Sequence, residues 1–334
     1  MGKDDNKSIE EFLAMLRSRS GSEYVSGQTL ANSAGISRSA VWKQIKRLRK
    51  YGYTIESVHG LGYRIKNGTQ LPVPWELRKV LQTRFLGSKI LYRNVVDSTQ
   101  NIAIAIAEKG NGTHGTVVIA EKQRQGRGRL KREWLSPPGG LWMSVILEPE
   151  MPTRMVTLLP FVAALAICHA IRQCTGLDAK LKWPNDVMIS GKKVAGILLD
   201  ISAEAEHVNY SVIGIGINAN IDSSSISARF AGEMPRITSI SDDLGKDVSR
   251  LELARTVLEN LEKRLSDLTD DNVAAILKEW EANADMLGRL VKVMQNGRMV
   301  CQGVARGVAD DGSLIIQEES RKVKIASGDI RVRY

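Results

Sequence analysis

The stretch Gln123-Arg124-Gln125-Gly126-Arg127-Gly128-Arg129-Leu130-Lys131-Arg132-Glu133-Trp134 places five basic side chains around a Gly-x-Gly pair. Glycines let a backbone fold around an anion with its N–H groups turned inward. Arginines add rigid forks for phosphate or carboxylate. The pair lacks the third glycine of a dinucleotide fingerprint, having Lys131 there, and opens no obvious helix; no Walker A sequence occurs. A solvated basic loop is the plainer alternative, but the pliancy of an Arg-Gly repeat makes sense if a ligand orders it. A second stretch is Lys182-Trp183-Pro184-Asn185-Asp186-Val187, where a lysine ends a strand before a proline-fixed turn. Such a position can hold one buried ammonium against a substrate.

Three further stretches stand beside these. In Val194-Ala195-Gly196-Ile197-Leu198 and Gly214-Ile215-Gly216-Ile217-Asn218, glycines interrupt apolar strands. That points to close approach by a ligand or another backbone, although each alone is more often a packing glycine. Asp97-Ser98-Thr99-Gln100-Asn101 opens a helix, where free N–H groups and hydroxyls suit an acceptor-rich ligand or form a simple N-cap. The four histidines, His59, His114, His169 and His207, and the three cysteines, Cys168, Cys174 and Cys301, show no zinc spacing. No protein metal ligands are expected. The odd, scattered cysteines argue against a disulfide framework and for a reducing compartment.

Elements must position these groups. The 334 residues are 43% hydrophobic and 25% charged, enough for two or three cores and unlike a disordered or fibrous chain. The hydrophobic pattern predicts an α+β protein. Strands are expected at Lys89–Val95, Thr116–Glu121, Leu141–Leu147, Ala179–Trp183, Val187–Ile189, Lys193–Leu199 and Tyr210–Ile217. Helices are expected at Thr99–Lys109, Thr153–Cys174, Arg250–Leu268 and Asn272–Ala284. Hairpin-like spacing favours a mixed sheet over a doubly wound parallel one. Met155 to Ile171 is the most apolar run, but Thr157, Pro160 and His169 interrupt it, so a buried helix is expected rather than a membrane span. With no apolar leader at the N-terminus, a cytoplasmic location and no membrane partner are expected. Residues 286–334 read as short strands with hairpin turns at Gln295-Asn296-Gly297 and Asp310-Asp311-Gly312, a small β-barrel.

The charge is uneven. The net +10 includes 12 basic and 6 acidic side chains in residues 1–66. A compact basic unit suggests a polyanionic partner. Ile9, Phe12, Leu13 and Leu16 mark a first helix; Thr29-Leu30-Ala31 opens a second that ends at Gly35; Ser37 caps a third running to Lys50. A hairpin, Tyr53–Val58 then Tyr63–Lys66, completes a winged helix-turn-helix over residues 1–66, with 67–80 as linker. The third helix carries Val41, Ile45 and Leu48 on one face and Ser37, Arg38, Ser39, Lys43, Gln44, Lys46 and Arg47 elsewhere. Arg38, Ser39, Lys43 and Gln44 would read base edges; Lys46, Arg47, Lys50 and Arg64 would meet phosphate. A solvated charged face or a protein-contact winged helix is the alternative, and Trp42 could touch DNA or stack between domains.

Asp97-Ser98-Thr99-Gln100, Gly126-Arg127-Gly128-Arg129, Lys182-Trp183-Pro184-Asn185-Asp186, Ala195-Gly196-Ile197-Leu198 and Gly214-Ile215-Gly216-Ile217-Asn218 occur in the order seen in biotin–protein ligases. With its winged helix, nearly the whole chain resembles the ligases that also repress transcription. The resemblance implies a class II synthetase-like catalytic domain over 81–285 and an SH3-like barrel over 286–334. It implies that biotin and ATP form biotinyl-5′-adenylate with Mg²⁺ beside the triphosphate. The biotin then passes to a lysine of a biotin carboxyl carrier domain. It implies binding to operator DNA of biotin-synthesis genes, with a homodimer formed when the adenylate is bound as corepressor.

By motif position, Ser98, Thr99, Gln100, Gln123, Arg127, Gly128, Arg129 and Lys182 would bind biotin. Arg132, Trp134, Asn185, Gly196, Gly214, Gly216 and Asn218 would bind nucleotide, and Lys182 and Arg129 would be catalytic. Where the family commonly has a glycine before the last arginine, this chain has Lys131, which implies a stiffer, more basic loop. A sensor that has lost ligation and a lipoate or octanoate transferase are the competing readings. Lys182 and Arg129 oppose the first, because sensing biotin needs no α-phosphate cations. The Gly-Arg-Gly-Arg loop and winged helix oppose the second.

Overall fold

The computed structural model describes residues 3–20, 23–110, 113–148, 152–204, 207–229, 236–295, 298–319 and 321–332. The chain divides into two compact units, Met1–Val80 and Leu81–Tyr334.

The first unit contains α1 (Lys3–Ser20), α2 (Gly27–Ala34), α3 (Arg38–Lys50), β1 (Thr54–Val58), β2 (Gly62–Asn67) and α4 (Pro74–Val80). Ile9, Phe12, Leu13 and Leu16 are buried with Val41, Ile45 and Leu48, as their helical spacing demands. The second helix begins at Gly27, two residues before the expected Thr29. Ser26 is its cap, and its hydroxyl accepts the Thr29 N–H at 3.0 Å, so Thr29 is already in the first turn. Gly35, at φ 64°, closes that helix in the left-handed region. Ser37 caps α3, accepting Ala40 N–H at 3.1 Å. Strands β1 and β2 pair antiparallel as the wing.

The expected linker is a correction. Residues 74–80 are helical, and Trp75 is buried with its Nε1–H donating to the Tyr53 hydroxyl at 2.7 Å. Tyr53 in turn donates to Glu76. A buried indole with a satisfied N–H anchors α4 to this unit.

The second unit runs β3 (Ile90–Val96), α5 (Thr99–Ala107), β4 (Val117–Gln123), β5 (Leu141–Leu147), α6 (Thr153–Val156), α7 (Leu159–Thr175), β6 (Ala179–Lys182), β7 (Asp186–Ile189), β8 (Lys192–Glu204), β9 (His207–Ile217), α8 (Ser223–Arg229), α9 (Ile240–Leu244), α10 (Arg250–Asp267), α11 (Val273–Ala282), then β10 (Leu290–Gln295), β11 (Arg298–Val308), β12 (Leu314–Gln317), β13 (Lys322–Ile325) and β14 (Asp329–Val332). A seven-stranded mixed sheet has the order β3-β4-β5-β9-β8-β7-β6. Strands β3 and β4 are parallel across the α5 crossover, and the other neighbours are antiparallel. Ala103 and Ala107 of α5 pack on Val118, Ile146 and Val212 of the sheet.

The expected helix Thr153–Cys174 is divided into α6 and α7. Pro160 lies in the first turn of α7, where its missing N–H costs nothing. Arg154–Thr175 is long and apolar enough to cross a membrane by composition, with mean hydropathy 1.8, yet 78% of that window is buried inside the fold. Helices α8 and α9 were not expected.

The last five strands form an antiparallel sheet, β13-β12-β11-β10-β14. Asn296 and Gly297 of the first expected turn lie outside the described residues. The second turn is present, with Gly312 at φ 79° and Ser313 N–H donating to Asp311 at 2.9 Å. Trp183 Nε1–H donates to the Gly312 carbonyl at 2.9 Å, fastening this sheet to the end of β6.

Candidate active site and nucleic-acid interface

A cavity of about 1820 Å³ opens where the ends of β4, β6, β8 and β9 meet the last sheet. Every residue that the sequence assigned to biotin, nucleotide or catalysis lines it: Ser98, Thr99, Gln100, Gln123, Arg127, Gly128, Arg129, Arg132, Trp134, Lys182, Asn185, Gly196, Gly214, Gly216 and Asn218. Among its described lining residues seven are Lys or Arg and three are Asp or Glu, a balance that favours anions.

One end is a network of amides and hydroxyls. Ser98 caps α5 and is buried with Thr99 and Gln100. The Gln123 carbonyl Oε1 accepts from Thr99 N at 2.8 Å and Thr99 Oγ1 at 3.0 Å, while its Nε2 donates to Ser136 at 2.8 Å. Ser144, on β5, shares a hydrogen bond with Thr99 and donates to Gln100 Oε1, both at 2.9 Å. Gly214 is required because a Cβ there would meet Gln100 Oε1 at 2.6 Å.

The Arg-Gly loop is closed by its own backbone. Trp134 N–H donates to Gly126 O and Gly128 N–H to Arg132 O, each at 2.8 Å. Leu130 (φ 53°) and Lys131 (φ 60°) occupy the left-handed region without being glycine, at a cost of roughly 1–2 kcal/mol each. Gly126 carries the close approach: a Cβ there would lie 2.2 Å from Trp134 O. At Lys131, where a glycine is expected from the family, the loop is folded into a turn.

The other end is cationic. Lys182, on β6, faces Asp186 across the ladder to β7. Burial and the nearby Lys193 charge push its pKa below the ordinary lysine value, and Asp186 opposes them. Burial likewise lowers that of Arg129, whose Nη1 donates to Asn185 Oδ1 at 3.2 Å. Arg132 pairs with Asp329 of β14. Lys193 Nζ lies 2.5 Å from Asp186 Oδ1 and 5.0 Å from the centre of the Trp134 ring. That indole lies over Gly196 and Gly216, where a Cβ would meet it at 2.9 and 2.6 Å. Its buried Nε1–H has no partner among the described residues. The glycines expected to receive a ligand therefore receive Trp134 and Gln100. Asn218 is buried, its Nδ2 donating to Thr238 O at 3.0 Å.

Sequence reasoning missed Lys193, Ser144, Ser136, Asp200 and Asp329. Lys193 directly precedes the quoted stretch Val194–Leu198, and Ser144 is a lone hydroxyl in an apolar strand. Asp329 is far away in sequence and carries no local signal. Among the described residues no group of three His, Cys, Asp or Glu could hold a metal. Asp186, Asp200 and Asp329 are each engaged by a cation of this chain. That donor set fits magnesium carried in by a triphosphate, not a cage made of protein.

In the first unit, Arg38, Ser39, Lys43 and Lys46 are exposed on α3, while Gln44 and Arg47 are half-buried. Ser37 and Ser39 share a hydrogen bond at 2.8 Å. Trp42 is 52% exposed, with Lys46 Nζ 5.0 Å from its ring centre. Arg64, expected at phosphate, is paired with Glu56 at 2.7 Å, and Lys66 joins the same carboxylate at 2.8 Å.

Three family models match the chain. They are the Biotin/lipoate A/B protein ligase family over residues 92–218, an HTH domain over 9–64 and the Biotin protein ligase C terminal domain over 286–333. The chain is similar to the bifunctional ligase/repressor BirA of Bacillus subtilis (strain 168), 37% identical over 327 residues covering 97% of this chain and 98% of that protein. It is similar to the biotin--[acetyl-CoA-carboxylase] ligase of Paracoccus denitrificans, 31% identical over 70% of this chain and 96% of the relative. Among solved structures it is similar to the biotin protein ligase from Aquifex aeolicus in complex with biotin and ATP. That match has TM-score 0.61 and 31% identity, covering 74% of this chain and 99% of the other. With its cavity, its mixed sheet and its N-terminal HTH unit, this chain belongs to the biotin protein ligase family and is similar over nearly all of its length to the bifunctional ligase/repressors.

Proposed function

We propose that the protein activates biotin with MgATP, transfers it to a lysine of a biotin carboxyl carrier domain, and represses biotin-synthesis genes through its winged helix. The observation that carries the ligase reading is the sharing of one cavity by Lys182, Lys193 and Arg129 with the buried Ser98–Gln100 and Gln123 network.

Two anions must meet there. A biotin carboxylate oxygen attacks the α-phosphorus, the bond to the β-phosphate oxygen breaks, and pyrophosphate leaves. Lys182 and Lys193, set about one aspartate, neutralise charge between carboxylate and α-phosphate, and Arg129 restrains the mixed anhydride. In the second half-reaction the acceptor amine attacks the acyl carbon, AMP leaves and the amine loses a proton. The amide and hydroxyl end holds the ureido ring, with Ser98 and Gln123 nearest it. Trp134, over Gly196 and Gly216, forms the nucleotide wall with Asn185, Arg132 and Asn218. Magnesium would be held by the triphosphate rather than by a cage of protein carboxylates, and it would supply charge neutralisation there. The folded Arg-Gly loop keeps water from the anhydride.

The catalytic sheet is of class II synthetase-like type and the last sheet an SH3-like barrel. The adenylate promotes a homodimer whose two winged helices occupy operator half-sites, with Ser37, Arg38, Ser39, Lys43, Gln44, Lys46 and Arg47 at the DNA. The protein works in the cytoplasm. Incubation with biotin, MgATP and an apo carrier domain tests the ligase reading: one biotin is added per carrier. An intact, folded protein that transfers none contradicts it.

A further inference from the structure

Asp200 has no role in the reaction described above, yet its two carboxylate oxygens join two parts of the biotin end. Oδ2 accepts from Gln100 Nε2 at 2.9 Å, and Oδ1 accepts from Arg127 Nη2 at 3.2 Å. Gln100 is fixed on every side. Its Nε2 also donates to Val212 O at 2.9 Å, and its Oε1 accepts from Ser144 at 2.9 Å. Arg127 is fixed at its other nitrogen, Nη1 donating to Asn101 Oδ1 at 3.0 Å. A single aspartate in the middle of the sheet therefore ties the Arg-Gly loop to the first turns of α5. The guanidinium expected to face biotin is engaged as a clasp.

We propose that Asp200 is a positioning residue that holds the Arg-Gly loop closed over the biotin end of the cavity and thereby sets how slowly biotin and its adenylate leave. This rests on the ligase reading. Both partners are partly exposed, Arg127 at 38% and Asp200 at 30%, so salt weakens the clasp. Two hydrogen bonds accepted by one carboxylate, one of them from a cation, give it direction as well as strength. The loop's cationic end is held separately, by Arg129 on Asn185 and Arg132 on Asp329, so losing Asp200 frees the biotin side alone.

The test uses the full chain with labelled biotin and MgATP, followed by a chase of unlabelled biotin. Asp200→Ala is expected to release label about tenfold faster than wild type and to raise KM for biotin about as much. KM for MgATP stays within about twofold, and thermal stability stays near wild type. Asp200→Asn, which keeps the shape and one acceptor for Gln100, falls between the two. Added salt is expected to speed wild-type release and leave Asp200→Ala unaffected. Wild-type release rates in both variants overturn the proposal while the ligase reading stands. So does a uniform loss in which both KM values and the melting temperature move together. A wild-type protein that retains no label with MgATP present overturns both.

Discussion

Lys193 Nζ lies 2.5 Å from Asp186 Oδ1, and Lys182 faces the same aspartate across the β6–β7 ladder. Two ammoniums and one carboxylate leave a net positive charge that an incoming carboxylate and phosphate neutralise. Lys182→Ala and Lys193→Ala are each expected to slow adenylate formation by roughly 10²–10³-fold with the fold intact. Pyrophosphate release in single-turnover experiments checks this.

The same cluster sets a pH limit. Burial and Lys193 hold the pKa of Lys182 below the ordinary lysine value. Its charge is therefore complete at pH below that lowered pKa and lost as pH rises through it. The alkaline limb of kcat/KM for adenylation is expected to fall earlier than an unperturbed lysine would allow. Lys182→Arg, which keeps its charge, should move the limb upward if it retains activity. An unmoved limb assigns it to another group.

Trp134 tests the nucleotide wall. A Cβ on Gly216 would sit 2.6 Å from its Nε1. Gly216→Ala must displace a rigid ring, at a cost of about 1–3 kcal/mol. KM for MgATP is expected to rise about tenfold or more, with little change in KM for biotin.

The turn in the Arg-Gly loop can be tested by its backbone. Lys131 sits at φ 60°. Lys131→Gly removes that strain and is expected to leave the melting temperature unchanged or raised. Lys131→Val, β-branched in the left-handed region, should lower stability by roughly 1–2 kcal/mol. Thermal unfolding of the two variants decides.

On the wing, Lys66 and Arg64 hold the Glu56 pKa down to about 2. Glu56→Gln makes both cations available to phosphate. The slope of log K against log[salt] for DNA binding is then expected to steepen by about 1–2. An unchanged slope places the wing away from the backbone.

The chemistry was more legible in the sequence than its arrangement. Apolar periodicity located α3 and most of the central strands, because half-buried elements must show their period. Glycine positions marked close approach, yet a glycine cannot say what approaches it, and the neighbours proved to be Trp134 and Gln100. Lys193 was overlooked beside Lys182 because only the β7–β8 turn brings it to Asp186. Asp329 and Asp200 act across long sequence separations, which no local pattern encodes. Residues 67–80 carried loop-forming residues, and only the buried Trp75 pair with Tyr53 turned part of them into a helix.

The central claim is that the arginine–lysine cavity makes and protects a biotinyl mixed anhydride for a protein acceptor. Mass spectrometry of an apo carrier domain after incubation with the full chain, biotin and MgATP tests it most directly, with Lys182→Ala and Lys193→Ala alongside. The account expects one biotin per carrier from wild type and strongly slowed transfer from both variants. Absence of transfer by folded wild type, or near-normal rates in both variants, contradicts it.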